Sequence, residues 1–120
     1  MKLLLSNNQL TRYAQSGAYA TTTSIPLDGE LAVTAQTLLS WLQSQLTEGE
    51  AVGQVFIEPD GLAGEMDEDG NATSTRAKLS AAVTAHAAQG SRSVVYSSES
   101  LPTELRDGLL AAWAAIEAMP

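Results

Sequence analysis

The chain of 120 residues contains no cysteine and only one histidine. Without cysteine it can form no disulfide, no thiolate metal site and no cysteine nucleophile. One histidine is too few for a histidine-based zinc site. Glycine-rich phosphate-binding motifs and the Gly-x-Ser-x-Gly pattern of a nucleophile elbow are also missing. We therefore expect no bound cofactor.

Long apolar runs are missing as well. The apolar start of the chain, Leu3 to Leu5, is followed at once by Ser6 and further polar residues. A signal peptide needs an apolar core of about 7–15 residues, so we expect no signal peptide here. No stretch approaches the roughly 18 apolar residues of a membrane span. These features favour a cytoplasmic location without membrane binding.

Basic residues are scarce, because six Lys and Arg stand against 14 Asp and Glu, for a net charge of −8. Residues 13–75 contain acids but no base. Nucleic acids and anionic membranes are bound through clustered Lys and Arg, so the charge pattern disfavours both as direct partners. A basic protein surface or a cation fits the charge better. The alternative is an acidic surface that only keeps the protein soluble.

The acids concentrate in residues 58–69, which we expect to contact a basic partner. The candidate partner-binding residues are Glu58, Asp60, Glu65, Asp67, Glu68 and Asp69. Contacts of this kind raise the association rate more than the affinity. The sequence therefore predicts a non-catalytic inhibitor, adaptor or assembly component. A small enzyme that uses carboxylates or a divalent cation is one alternative, and a homo-oligomeric structural component is another.

The acidic stretch 65–71 matches half of a calcium loop. With Gly70 as the sixth position, acids occupy the first, third and fifth positions, as such loops require. The candidate ligands are Glu65, Asp67, Asp69 and Asn71. The twelfth position should be a bidentate Glu and is Arg76 instead. A solvated acidic loop is thus favoured over a weak cation site.

The single histidine, His86, is the remaining catalytic candidate. As a general base it would need an orienting carboxylate, such as Glu58 or Asp60, and a Ser or Thr hydroxyl to activate. His86 also lies on the apolar face of a predicted helix, which favours a structural histidine. The pair Glu58 and Asp60 could support acid–base chemistry, but close acids arise by chance in so acidic a chain. We predict no catalytic residue.

Periodicity predicts one α+β (mixed α/β) domain over residues 1–120. Apolar steps of three and four predict three helices, over residues 31–46, 74–89 and 101–119. Apolar and β-branched runs predict four strands, over residues 2–5, 19–25, 51–57 and 92–97, and a short return strand over 62–66. Residues 51–97 should form a right-handed βαβ unit. We therefore expect about four strands in a mixed sheet with three helices packed on it, and we see no internal repeat.

The last predicted helix, 101–119, is rich in alanine and almost uncharged between Asp107 and Glu117. That is more apolar surface than a single buried stripe requires. We expect this helix to be covered on two sides, either by the domain itself or by a second copy in a homodimer.

Overall fold

The structure is a computed structural model that describes residues 2–16, 18–59 and 79–119. Within these ranges the chain forms six strands and two α-helices. In chain order they are β1 (Lys2–Ser6), β2 (Gln9–Ser16), β3 (Tyr19–Ile25), α1 (Gly29–Gln45), β4 (Ala51–Pro59), β5 (Leu79–Ala87), β6 (Gly90–Ser97) and α2 (Thr103–Glu117). A short 3-10 turn, Ser98–Ser100, precedes α2.

All six strands belong to one antiparallel sheet with the order β3-β2-β1-β4-β5-β6. The central pair is β1 with β4, where Leu4 lies opposite Phe56. Along the described chain, three strands followed by an α-helix occur twice. The strands β1, β2 and β3 form one half of the sheet, and β4, β5 and β6 form the other half. The two outer strands of the sheet are β3 and β6.

The expected fold is therefore wrong in its strand number, its sheet type and its helix number. The sequence predicts about four strands in a mixed sheet with three helices, and the structure has six antiparallel strands with two helices. The predicted βαβ unit is absent because β4 and β5 are antiparallel neighbours. The return strand expected at 62–66 lies outside the described residues.

The largest difference is at β5, where the sequence predicts the helix 74–89. Leu79, Val83 and His86 follow one another at steps of four and three, which mimics one face of a helix. Burial instead alternates, with Leu79, Ala81, Val83 and Ala85 all buried. A period of two is the side-chain period of a strand. Pairing on both sides, with β4 and β6, overrides the helix propensity of the alanines.

The sequence prediction also misses β2, since it places no strand between residues 5 and 19. β1 and β2 form a hairpin that pairs Leu5 with Leu10. Asn7 and Asn8 make its turn with φ values of 52° and 61°. Two successive positive φ values define a type I′ turn, for which Asn is a preferred residue. The turn chemistry, rather than an apolar run, thus marks this hairpin.

Both helices pack on the same face of the sheet. Leu38 and Leu42 of α1 and Leu109 and Trp113 of α2 belong to one buried apolar cluster, together with strand residues such as Val55. The other face has no helix on it among the described residues and displays side chains such as Leu4, Phe56 and Val95. Neither helix is long and apolar enough to cross a membrane, as far as the described ranges extend.

Candidate functional site

An open groove of about 1040 Å³ separates the first turns of α1 from the C-terminal half of α2. Its floor includes Ile25 at the end of β3. One wall is formed by α1, with Val33 63% exposed, and the other by the alanines of α2. The lining is mostly apolar and open to solvent, so an apolar occupant could enter it without unfolding the domain.

Small side chains explain why the groove is open. Near Thr34 and Gly108 the two helices approach closely, since a Cβ at Gly108 would lie 3.7 Å from Thr34 Oγ1. Beyond this point α2 presents Ala111 and Ala115, which are too short to reach α1 and are exposed. The alanine-rich flank of α2, expected from sequence to be covered on two sides, thus forms a groove wall in the single copy.

The α1 end of the groove is anionic. Asp28 precedes the helix and makes no side-chain capping hydrogen bond, and Glu30 lies in the first turn. No ion pair within the described ranges involves either carboxylate. Glu30 is also the one charged residue of α1. Two exposed carboxylates that form no ion pair with a described residue therefore lie next to an apolar surface.

The C-terminus of α2, beside the groove, is held by Arg12 of β2. The Arg12 Nη1 donates to the backbone oxygen of Met119 at 3.1 Å. A cation at this position complements the negative end of the helix dipole. The Nε of Arg12 is buried and has no hydrogen-bond partner within the part of the chain that the structure describes. Arg12 therefore positions the chain at the C-terminus of α2, next to the groove.

Of the predicted partner-binding acids, Glu58 alone lies in the described residues. It is near the end of β4, on the sheet face opposite the helices, with its Oε2 3.9 Å from Lys2 Nζ. The same Lys2 Nζ lies 4.6 Å from the centre of the Phe56 ring. The other predicted site residues lie outside the described ranges, and they are Asp60, Glu65, Asp67, Glu68, Asp69 and the candidate cation ligand Asn71. Glu58 and the groove are thus on different faces of the sheet.

The structure does not bring His86 to Glu58, one of the two carboxylates expected to orient it, and the other, Asp60, lies outside the described residues. His86 is exposed on β5, not on a helix, and its Nδ1 lies 2.7 Å from Ser91 Oγ. β5 pairs with β4 so that Ala51 is opposite His86 and Ser80 is opposite Glu58. At about 3.3 Å per strand residue, His86 and Glu58 are roughly 20 Å apart. Within the described ranges no three His, Asp or Glu side chains are grouped to hold a metal ion.

The strongest polar cluster of the described residues was not expected from sequence and centres on Glu50. Its Oε2 accepts from Arg92 Nε at 2.6 Å and its Oε1 from Arg92 Nη2 at 2.9 Å. The Thr47 backbone N–H adds a hydrogen bond of 3.0 Å. These hydrogen bonds, first from Arg92 and then from Thr47, lower the pKa of Glu50 to about 2.

This cluster connects structural elements. Next to it, the Gln43 side chain donates to the Glu50 backbone oxygen at 2.7 Å and accepts from the Val52 backbone N–H at 3.1 Å. Glu50 and Gln43 together thus hold the end of α1, the start of β4 and the edge strand β6. A perturbed pKa can indicate a functional site. Here Glu50 lies in the connection between α1 and β4, and its partners Thr47 and Arg92 tie that connection to β6, which assigns Glu50 a structural role.

Comparison of the chain with protein-family models, with curated proteins and with solved structures finds no match in any of the three. The candidate site therefore rests on the geometry of this chain, and it consists of the groove between α1 and α2 with Asp28 and Glu30 at one end.

Proposed function

We propose that the protein is a non-catalytic binding protein whose groove between α1 and α2 holds an amphipathic helix of a basic protein partner. The observation that carries this proposal is the open apolar groove that Asp28 and Glu30 help to line, since neither carboxylate is ion-paired within the described ranges. The partner would be captured by apolar anchors and oriented by its Lys or Arg side chains, and the protein would act by steric and electrostatic blocking.

A helix is the best occupant because of where the backbone hydrogen bonds are. The groove walls are themselves helices, so most of their backbone N–H and C=O groups are already bonded internally. An extended peptide would find few partners there for its own backbone, and unsatisfied polar groups are costly to bury. A helix satisfies its own backbone and presents apolar side chains at steps of three and four, as in other helix-in-groove complexes.

A basic occupant is favoured by charge. The chain carries a net charge of −8, and the two carboxylates at the α1 end have no cation beside them in the described ranges. Lys or Arg on the occupant would pair with them and would raise the association rate at low salt. We extend the proposal to the acids of residues 60–69, which add negative charge and would attract the same partner.

The test titrates three synthetic helical peptides into the 120-residue chain. The first has leucines on one face and lysines on both flanks, the second has glutamates in place of the lysines, and the third has serines in place of the leucines. We expect measurable binding by titration calorimetry for the first peptide alone, with an affinity that falls as salt rises. Equal binding of the lysine and glutamate peptides would contradict a role for Asp28 and Glu30.

Two matched variants locate the binding surface. Val33 is in the groove and 63% exposed, and Val95 is on the opposite sheet face and 66% exposed. Val33→Lys should weaken binding of the lysine–leucine peptide by about tenfold or more, because it introduces a like charge into an apolar site. Val95→Lys makes the same change in the chain's net charge and should leave the affinity unaltered. Equal losses of affinity in both variants would exclude the groove as the binding surface.

A further inference from the structure

We infer that β3 pairs with β3 of a second copy of this chain, so that two six-stranded sheets become one continuous sheet. The inference depends on the edge of the sheet and would stand even if the groove bound no helix. It names a different surface from the alanine-rich flank of α2, which the sequence suggests for a homodimer.

Among the described residues, no element pairs with the outer edge of β3. β3 is an outer strand of the sheet, and six of its seven residues, all but Ile25, are exposed. In the described ranges β1 pairs with β2 as far as Tyr13, whereas β3 pairs with β2 as far as Ser16. As far as the structure describes the chain, the far part of the β2–β3 hairpin is therefore a two-stranded ribbon, and such a ribbon is marginally stable alone in water. Adding a strand would satisfy its backbone groups.

Charge points to a second copy at this edge. No charged residue occurs between Arg12 and Asp28, although the chain as a whole carries −8. Edge strands are usually protected from pairing by Lys, Pro, bulges or a covering element. Within Tyr19–Ile25 there is no charge and no proline. Two copies that repel each other elsewhere can approach here, whereas the other outer strand, β6, contains Arg92.

The sequence of β3 is complementary to itself. Antiparallel pairing about Thr22 would place Thr22 opposite its own copy, Thr21 opposite Thr23, and Tyr19 opposite Ile25. Thr–Thr pairs and pairs of an aromatic with a β-branched residue are among the favourable cross-strand contacts. A twofold axis through Thr22 makes the interface isologous, as in most homodimers.

This register would bring a side chain of the second copy to the groove. Ile25 is buried, lines the groove and points to the helix side of the sheet. Alternation along β3 places Tyr19 on that same side, where it is 78% exposed. In the dimer, Tyr19 of the second copy lies opposite Ile25 and extends the groove floor. The otherwise unexplained exposure of this large ring is thereby reduced.

The absence of native cysteine permits a direct test by engineered disulfides. Directly opposed residues of an antiparallel pair have Cα atoms about 4.5–5.5 Å apart, which a disulfide can bridge. We expect Thr22→Cys to form a covalent dimer under mild oxidation. The controls are Val95→Cys on β6 and Ala114→Cys on the exposed side of α2, and neither should be crosslinked at a comparable rate.

Sedimentation of the unaltered chain gives the second measurement. We expect a monomer–dimer equilibrium with a dissociation constant below about 100 μM. The Thr22→Lys variant should raise this dissociation constant about tenfold or more. This variant reduces the net charge, so general charge repulsion predicts the opposite effect. A monomer at all concentrations, with no preferential crosslinking at Thr22→Cys, would overturn the inference. Faster crosslinking at Ala114→Cys or at Val95→Cys would overturn it too, by assigning the contact to α2 or to β6.

Discussion

Glu50 and Arg92, separated by 42 residues in sequence, form a two-point ion pair that ties the connection after α1 to the edge strand β6. The pair is reinforced by Thr47, whose backbone N–H donates to Glu50. Two-point pairs between Arg and a carboxylate have a defined geometry and are stronger than single contacts. The pair therefore contributes to the position of β6, whose one strand neighbour among the described residues is β5.

The first prediction concerns the pH dependence of stability. The folded pKa of Glu50 is lowered from 4.5 to about 2, so its contribution is complete above pH 4.5 and is lost as the pH falls through about 2. We expect Glu50→Gln to lower the free energy of unfolding near neutral pH, with a difference from wild type that shrinks between pH 4.5 and 2. Urea titrations at several pH values measure this difference. Glu48→Gln, at an exposed neighbour, is the control and should show no such trend.

The second prediction concerns Gly53, which lies against the His86 ring. A Cβ at Gly53 would overlap the His86 side chain and would lie 3.3 Å from the Thr84 backbone oxygen. We expect Gly53→Ala to lower the free energy of unfolding by about 1–3 kcal/mol. His86→Ala should recover part of this loss when the two changes are combined. Chemical denaturation of both single variants and the double variant gives the coupling, and strictly additive effects would show that the ring is not the obstacle.

The third prediction is that Gly108→Ala stabilises the protein. The new Cβ would be 3.7 Å from Thr34 Oγ1, an ordinary contact distance. Alanine is favoured over glycine within a helix by about 1 kcal/mol. We therefore expect a gain of roughly 0.5–1 kcal/mol in thermal or urea unfolding. Gly90→Ala is the opposite control, since Gly90 has φ +137° and alanine there would be strained. A loss of stability in Gly108→Ala would mean that the helices cannot separate slightly at this crossing.

The fourth prediction tests the core under α1. Leu42 is fully buried, with 0% exposure, in the cluster shared by the sheet and both helices. We expect Leu42→Ala to lower the free energy of unfolding by about 2–5 kcal/mol, because it removes apolar contacts and leaves a cavity. Val33→Ala, at an exposed position of the same helix, should change it by no more than about 0.5 kcal/mol. Similar losses in both variants would contradict the assigned orientation of α1.

Several elements are predictable from sequence because their signal is local. The threonine-rich strand 19–25 has the same bounds in the structure, and the leucine stripe at 31–46 and the apolar stripe at 101–119 correspond to α1 and α2. Propensity and periodicity act within a few residues, so they survive without knowledge of the fold. The hairpin of β1 and β2 has a local signal too, in the turn residues Asn7 and Asn8. The prediction misses it because β2 has little apolar alternation.

β5 shows what local pattern leaves undecided. Its alanines favour a helix by propensity, and Leu79 and Val83 lie on one face with either a helical or a strand period. Only the neighbours β4 and β6 select the strand, because its alternate residues are then buried and its backbone is bonded on both sides. Non-local pairing of this kind cannot be deduced from residues 74–89 alone.

The sequence alone determined the charge imbalance, the lack of cysteine chemistry and the uncharged stretch that includes β3. It also determined the two helices α1 and α2, since composition and local periodicity are properties of the chain itself. The tertiary structure decided that Asp28 and Glu30 lie beside the alanines of α2, that Glu58 lies on the other sheet face, and that His86 is far from Glu58. These relations depend on strand order and on how the helices pack, which bring together residues that are distant in the chain.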